Sequence, residues 1–226
     1  MRRNKRRIHF DSKILNSTNI QSAHHKSDQE NMAPKHTPSP GNDFSSGEPP
    51  MRQPHLEFIY RIVADMDPGA SPIPNVQGTA VSRIVLPIAG GTVRGPQIKG
   101  EIVKNSGADW AQRIESSKSP TKLNARYTLK TDDGHCILVN AVGTVTGGPP
   151  VDGAAAAWPP EQGKPLTITQ DQAEYFTQIT FEAAGGSPYE WMNSVVALGV
   201  MIMDEGKPII DCYRLTNFPG TGTAHL

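Results

Sequence analysis

The sequence of this 226-residue chain predicts an all-β fold, built as a single antiparallel β-barrel. Short apolar segments recur at close spacing, and several of them alternate apolar with polar residues at the period of a strand. Glycines at positions 90, 91, 95 and 100 lie between apolar runs, where a backbone must bend or approach its neighbour closely. No segment has the pattern of an amphipathic helix of three turns. A sheet that curls and closes accounts for these observations.

Composition narrows the class of partner. The chain has 22 Lys and Arg against 22 Asp and Glu, which gives a net charge of zero and a pI near 7.1. Proteins that bind nucleic acid or anionic membranes carry a basic excess, so neither partner is expected. No apolar run approaches the roughly 20 residues that span a bilayer. The expected partner is a small-molecule ligand or substrate, and homo-oligomerisation stays open.

The two ends of the chain differ in character from its middle. Residues 1–54 are predicted to be a disordered extension, because from Asn16 to Gln53 they are mostly Ser, Asn, His, Pro and Gly. The basic run at 1–7 is not a secretory signal, since no apolar core of roughly 7–15 residues follows it. We expect a cytoplasmic protein, with a nuclear or mitochondrial address in the basic leader as the alternative. Residues 55–218 are predicted to form the barrel, and 219–226 a flexible tail.

Strand signals follow one another closely through the predicted barrel domain. The first begins at Leu56, where the even-numbered residues up to Ile62 form one apolar face. An Asp-Gly pair at 133–134 predicts a hairpin, because it supplies the positive φ of a tight turn. A closed or partly closed barrel of the lipocalin or streptavidin type, with about eight or nine strands, holds packed side chains or one small ligand. The other predicted strands are 81–88, 97–103, a short piece around Trp110, 122–130, 135–145, 174–183, 195–203 and 208–215.

Three connecting segments have their own character. Residues 67–74 read as a Pro/Gly-rich loop. Residues 147–173 are unusually long for a loop inside a compact domain, which predicts a functional or mobile segment. Tyr189–Asn193 is too short for a strand and too bulky for an ordinary turn, so we expect one helical turn or a tight corner there.

Two charged residues are the main candidates for chemistry. Arg126 shares one strand face with Asn124, opposite Tyr127. If that face is outside, Arg126 is a solvated or structurally paired residue; if it faces inward, it needs a carboxylate or an anionic ligand. Asp109 stands beside Trp110, either as a capping residue at a turn or as a general base whose pKa the apolar ring raises.

Other candidate residues have two interpretations each. Glu101 and Glu182 lie in apolar segments and face either inward as acid–base groups or outward into water. The cluster Tyr189, Trp191 and Asn193 is either a plug that fills one end of the barrel or the wall of a ligand site. Asp132 and Asp133 are explained by the chemistry of the hairpin turn.

Several kinds of site are not expected. The predicted barrel contains only His55 and His135, in different segments, and no HxH, CxxC or HExxH spacing occurs, so neither a metal nor a cofactor is predicted. The glycine-rich run at 90–95 lacks the GK[ST] ending of a phosphate loop, and an apolar strand rather than a helix follows it. The two cysteines, Cys136 and Cys212, are expected to be buried structural thiols.

Six ordered motifs together resemble domain-of-unknown-function family 3237, also known as uncharacterised protein family 0311, over about residues 55–216. The resemblance implies a small β-barrel domain without established catalytic residues, of a type often encoded beside fungal natural-product genes. Asn124 stands where the family typically has an Asp, so that carboxylate is missing from this chain. The motifs are Pro87–Gly100, Gly107–Trp110, Leu123–Tyr127, Thr131–Gly134, Phe181–Glu182 and Pro188–Asn193.

Two hypotheses of different class follow. In the first, the protein is a cofactor-free isomerase or lyase acting on a small oxygenated, polyketide-like metabolite of secondary metabolism. Asp109 is then the catalytic base, and Arg126 or Tyr127 stabilises an enolate oxygen. In the second, the same residues form a non-catalytic small-molecule-binding or assembly module. Convergence of the candidates on one concave site would favour the first hypothesis. The ligand-binding candidates are Trp110, Tyr189, Trp191, Asn193, Glu101 and Glu182.

Overall fold

The computed structural model of the protein describes residues 53–114, 120–147 and 166–218. The predicted disordered extension up to residue 52, most of the long loop and the tail from residue 219 therefore lie outside the described residues. Within the described ranges, no helix is both long and apolar enough to cross a membrane.

The described residues form ten strands and two short 3-10 helices, which confirms the all-β class. All the strand pairings are antiparallel, and the helices span Val76–Gly78 and Glu190–Ser194. The strands are β1 (His55–Met66), β2 (Ser71–Ile73), β3 (Val81–Arg94), β4 (Lys99–Ile102), β5 (Gly107–Ile114), β6 (Thr121–Thr131), β7 (Cys136–Gly147), β8 (Ala173–Ala183), β9 (Ala197–Asp204) and β10 (Lys207–Thr216).

The sheet closes on itself. Its strand order runs from β1 through β10, β9, β8, β7, β6 and β4 to β3, and β1 pairs with β3 as well as with β10. Two pairs of strands each occupy a single position in this ring. Strands β4 and β5 both lie between β3 and β6, and strands β1 and β2 lie end to end along the same edge of β3. The result is a barrel with eight strand positions, as the spacing of the segments predicts.

Glycines let neighbouring strands approach where the barrel bends. A Cβ on Gly100 would collide with the main chain of Lys130 and Thr131, and one on Gly95 would collide with the main chain of Ile59. Only glycine fits such positions. The predicted corner around residues 90–95 is thus a bent part of one long strand, β3, rather than a break between two strands.

Strand β1 differs from its predicted single apolar face. The register of β1 against β10 shifts between Phe58 and Tyr60, so a β-bulge interrupts the alternation. Leu56 and Phe58 are exposed, whereas Tyr60 and Ile62 are buried. Period-two counting was wrong across this segment because one extra residue exchanges the inner and outer faces. A second correction concerns β2, which is a short strand inside the segment predicted as a loop.

The core is the inside of the barrel, closed at one end by the second 3-10 helix. Met192 of this helix is 1% exposed and belongs to the core cluster that includes Tyr60, Leu129 and Ile137. A helical turn at this point confirms the interpretation of the Tyr189–Asn193 segment. Of the two cysteines, Cys212 is buried as expected, but Cys136 is exposed, because it begins β7 on the outer face.

Candidate functional site

Asp109 lies on the inner face of the barrel. It pairs across the strands with Ala125 of β6, and Ala125 pairs with Ala141 of β7. Opposite residues of an antiparallel pair project to the same face, and Ala141 is part of the buried core. The carboxylate is therefore directed into the barrel, on the same face as the two small side chains of Ala125 and Ala141.

Two opposing influences act on the Asp109 carboxyl. Burial raises its pKa, since a charged carboxylate loses hydration there, while the hydrogen bond from the Asn124 backbone N–H lowers it. That N–H donates to Oδ1 at 2.9 Å, and the net shift of the pKa is upward. Asp109 lies within a strand rather than at a turn, and its side chain replaces a missing rung between β5 and β6. It thus combines a structural hydrogen bond with the environment of a general base.

Tyr175 is a neighbouring group that was not among the residues predicted from the sequence. Burial raises its pKa, and the charge of Asp109 raises it further, so the two side chains are close enough to interact electrostatically. Along β8, Tyr175 and Thr177 precede Ile179 on the inner face. That alternation was visible in the sequence, and a polar pair at the start of an otherwise apolar strand face was the signal that could have identified it.

Tyr127 and Tyr60 continue this polar group deeper into the barrel. Burial raises the pKa of each hydroxyl, and Cys212 adds to the shift in both. Burial likewise raises the pKa of the Cys212 thiol to about 12. These groups are therefore neutral at physiological pH and do not act as bases. Tyr127, the other predicted catalytic residue on the inner face, interacts electrostatically with Tyr175.

Burial changes along the barrel interior. Tyr60 and Thr177 are 0% and 1% exposed, whereas Asp109 and Tyr175 are only half-buried. Ile84 and Leu86, on the inner face of β3, are half-buried as well. The polar group is therefore reached by solvent from the end opposite the second 3-10 helix. This is the end at which β5 finishes and β6 and β8 begin.

Arg126 does not join this group. It projects to the outer face of β6, is exposed, and donates from Nε to Oδ1 of Asn140 at 3.0 Å. Arg126 and Asp109 therefore do not converge on one site, so the isomerase or lyase hypothesis lacks the support that convergence would have given it, and the structure matches the alternative of a solvated, structurally paired arginine. Trp110 also lies on the outer face, because it alternates with Asp109 along β5 and is half-buried there.

The Tyr189–Asn193 cluster lies at the other end of the barrel. Asn193 binds both backbone groups of Ala183: its Oδ1 accepts from the N–H at 2.7 Å, and its Nδ2 donates to the carbonyl at 2.9 Å. The Tyr189 hydroxyl donates to Asp133 Oδ1 at 3.0 Å. These contacts agree with a plug. Trp191, by contrast, is half-buried and lines a pocket of about 230 Å³.

The two predicted glutamates face outward. Glu182 is exposed on the outer face of β8. Glu101 is exposed on β4 and lines a polar surface depression of about 410 Å³ together with Arg94 and Lys130. Neither carboxylate contributes to the interior of the barrel. Across the described ranges, no group of three or more His, Cys, Asp or Glu residues is arranged to hold a metal ion.

Comparison with known families places this fold in context. Residues 54–215 match the family model described as "Protein of unknown function (DUF3237)". The chain is also 31% identical over 139 residues to the UPF0311 protein RPA1785 of Rhodopseudomonas palustris, a match that covers 61% of this chain and 82% of the relative.

Solved structures support the same barrel. A "beta-barrel like protein" from Acinetobacter baumannii is 27% identical with a TM-score of 0.58, and the match covers 75% of this chain and 99% of that one. The crystal structure of RPA1785 is 25% identical with a TM-score of 0.60, covering 74% of this chain and 100% of that one. A structure described as an enzyme from Penicillium herquei shares the fold at 19% identity and a TM-score of 0.50, covering 75% of this chain and 99% of that one.

Proposed function

The chain belongs to the DUF3237 family of proteins of unknown function, and we propose that it is a cofactor-free isomerase or lyase. Its substrate is a small oxygenated metabolite with an acidic C–H next to a carbonyl group. The observation that supports the proposal is the half-buried Asp109 carboxyl, which has a raised pKa and lies on an inner face that also carries the neutral Tyr175 and Tyr127. The Penicillium herquei structure adds that a barrel of this fold has been described as an enzyme.

The chemistry assigns one role to each group. Asp109 accepts the proton from the carbon next to the carbonyl, and the C–H electron pair moves to form an enolate. Tyr175 donates a hydrogen bond to the developing oxyanion, with Tyr127 behind it. Asp109 then returns the proton to a second carbon in an isomerase, or the enolate expels a β-substituent in a lyase. A carboxylate base paired with a neutral tyrosine donor is an established solution for such proton transfers.

The test begins with the substrate. Untargeted metabolite profiling of a gene-deletion strain would reveal an accumulating compound, which is then incubated with the purified protein in D₂O. We expect deuterium incorporation at the carbon next to the carbonyl, together with conversion to product. Asp109→Asn should lower kcat/KM by about 10²–10⁴-fold, and Tyr175→Phe should lower kcat by roughly 10²–10³-fold.

The matched control is Asp204→Asn, which removes an exposed carboxylate from the end of β9 and should leave turnover unchanged. Full activity of Asp109→Asn would overturn the role of the base. Tight binding of the metabolite without exchange or conversion would instead establish the protein as a binding module.

A further inference from the structure

A pocket lies at the plugged end of the barrel. The pocket of about 230 Å³ there has apolar walls made by Phe58, Ile59, Pro96 and Trp191. Three separate parts of the chain contribute these walls: the bulge of β1, the β3–β4 hairpin and the second 3-10 helix. Its volume falls below the roughly 300–1,000 Å³ of pockets for drug-sized ligands, so it suits a molecule with one ring.

The polar part of this pocket consists of Gln97 and an ion pair. Arg214 of β10 donates from Nη2 and Nε to the same oxygen, Oε2, of Glu57 at 2.8 and 3.1 Å. The two residues lie opposite each other across β1 and β10, with side-chain exposures of 10% for Arg214 and 24% for Glu57. Removing one partner of so enclosed a pair would leave an uncompensated charge, so the pair stays together when a ligand arrives.

The charge of the pair determines which ligand fits. Arg214 and Glu57 together are neutral, and they present N–H donors beside carboxylate acceptors. A charged ligand would be attracted by one member of the pair and repelled by the other, so little net attraction would offset the loss of its own hydration. A neutral group with an acceptor and a donor side by side, such as a carboxamide or lactam, meets both without a net charge to desolvate.

The ring of such a ligand would lie against Trp191. Aromatic rings bury a large area and favour stacked or edge-to-face contacts with other rings. The half-buried indole supplies that surface while the rest of its helix is anchored through Met192 in the core and Asn193 on β8.

We infer that the pocket formed by Trp191, Phe58, Pro96 and the Glu57–Arg214 pair binds a neutral single-ring molecule bearing an amide-like donor–acceptor edge. This site is separate from the Asp109 group, and neither proposal depends on the other.

Three near-isosteric probes test the inference on the full-length protein: benzamide, benzoate and benzamidinium, titrated by isothermal calorimetry or ligand-observed NMR at pH 7. We expect benzamide to bind at least about tenfold more tightly than either ion. Trp191→Leu should weaken benzamide about tenfold. Phe176→Leu, a matched control on the outer face of β8, should leave its affinity unchanged.

A charge-altering variant separates recognition from a merely structural role. Glu57→Gln leaves the charge of Arg214 unbalanced, so the preference should reverse and benzoate should bind more tightly than benzamide. If that variant fails to fold, the three probes with the wild-type protein and Trp191→Leu still decide. Absence of benzamide binding, tighter binding of either ion to the wild type, or no effect of Trp191→Leu would overturn the proposal.

Discussion

Asp109 has two opposing effects on the stability of the protein. Its Oδ1 accepts the Asn124 backbone N–H where the β5–β6 ladder lacks a rung, which stabilises the barrel. The burial that raises its pKa makes the ionised form costly. Asparagine retains an oxygen for the Asn124 N–H and carries no charge. The proposed role of Asp109 as a base and the stability of the fold therefore favour different residues at this position, as function and stability often do at catalytic sites.

Asp109→Asn should stabilise the protein by on the order of 1 kcal/mol at neutral pH. A carboxyl whose pKa is raised in the folded state binds more protons there than in the unfolded chain. The wild type therefore loses stability as pH rises from the ordinary Asp pKa through the raised one. The advantage of the variant should grow over this window and disappear below it. Urea denaturation of both proteins at several pH values would measure this, and a pH-independent difference would contradict it.

The pH dependence of turnover should also report the ionisation of Asp109. In the proposed reaction Asp109 acts as a base only when it is ionised, so kcat/KM should fall as pH drops through its raised pKa. The acidic limb of the pH–rate profile should therefore lie above the ordinary Asp range. The tyrosines stay neutral to high pH because burial raises the pKa of Tyr175 and Tyr127. A profile whose acidic limb lies at the ordinary Asp pKa would count against Asp109 as the base.

At the scale of elements, the second 3-10 helix closes the barrel with five residues, Glu190–Ser194. One buried side chain, Met192, fills the end of the core, and one exposed side chain, Asn193, binds the end of β8. The two attachments differ in kind. If the Met192 side chain is removed, water does not restore the lost packing. Water can, however, partly replace the hydrogen bonds of an exposed amide such as that of Asn193.

Met192→Ala should therefore destabilise the protein by about 2–5 kcal/mol, and Asn193→Ala by about 1 kcal/mol. Chemical denaturation gives both values. Hydrogen exchange adds a local readout, because the Ala183 amide donates to Asn193 in the wild type and should exchange faster in Asn193→Ala alone. Equal losses of stability from the two substitutions would show that the plug is not held as described.

At the scale of the whole molecule, closure depends on β1, the first strand, which pairs with β3 on one side and with the last strand, β10, on the other. Adjacent residues of this strand have opposite environments. Ile62 is 1% exposed in the core, while Arg61 reaches outward to Asp211, with Nε–Oδ1 and Nη2–Oδ2 distances of 2.6 and 2.7 Å. Packing inside the barrel, rather than this surface ion pair, should contribute most of the stability where β1 joins β3 and β10.

Ile62→Ala should cost about 2–5 kcal/mol, because it leaves a cavity between β1 and β3. Arg61→Ala, one residue away, should cost only about 0.2–1 kcal/mol, because an exposed pair gains little in water. The ratio of the two losses, measured by urea unfolding with unchanged m-values, tests the inward and outward assignment of β1. A larger loss from Arg61→Ala would contradict it.

The order of local signals along the chain determined the all-β class, the barrel, the Asp-Gly hairpin and the helical turn near Trp191, because alternation, turn residues and short apolar runs are local properties. The bulge in β1 and the face that holds Arg126 were decided only by the tertiary structure, since strand alternation has two solutions and one extra residue exchanges them. The placement of Asp109 and Tyr175 on one inner face, and the ion pair between Glu57 and Arg214, were likewise decided by the tertiary structure. Residues far apart in sequence come together only through the register of strands between them, which no local pattern contains.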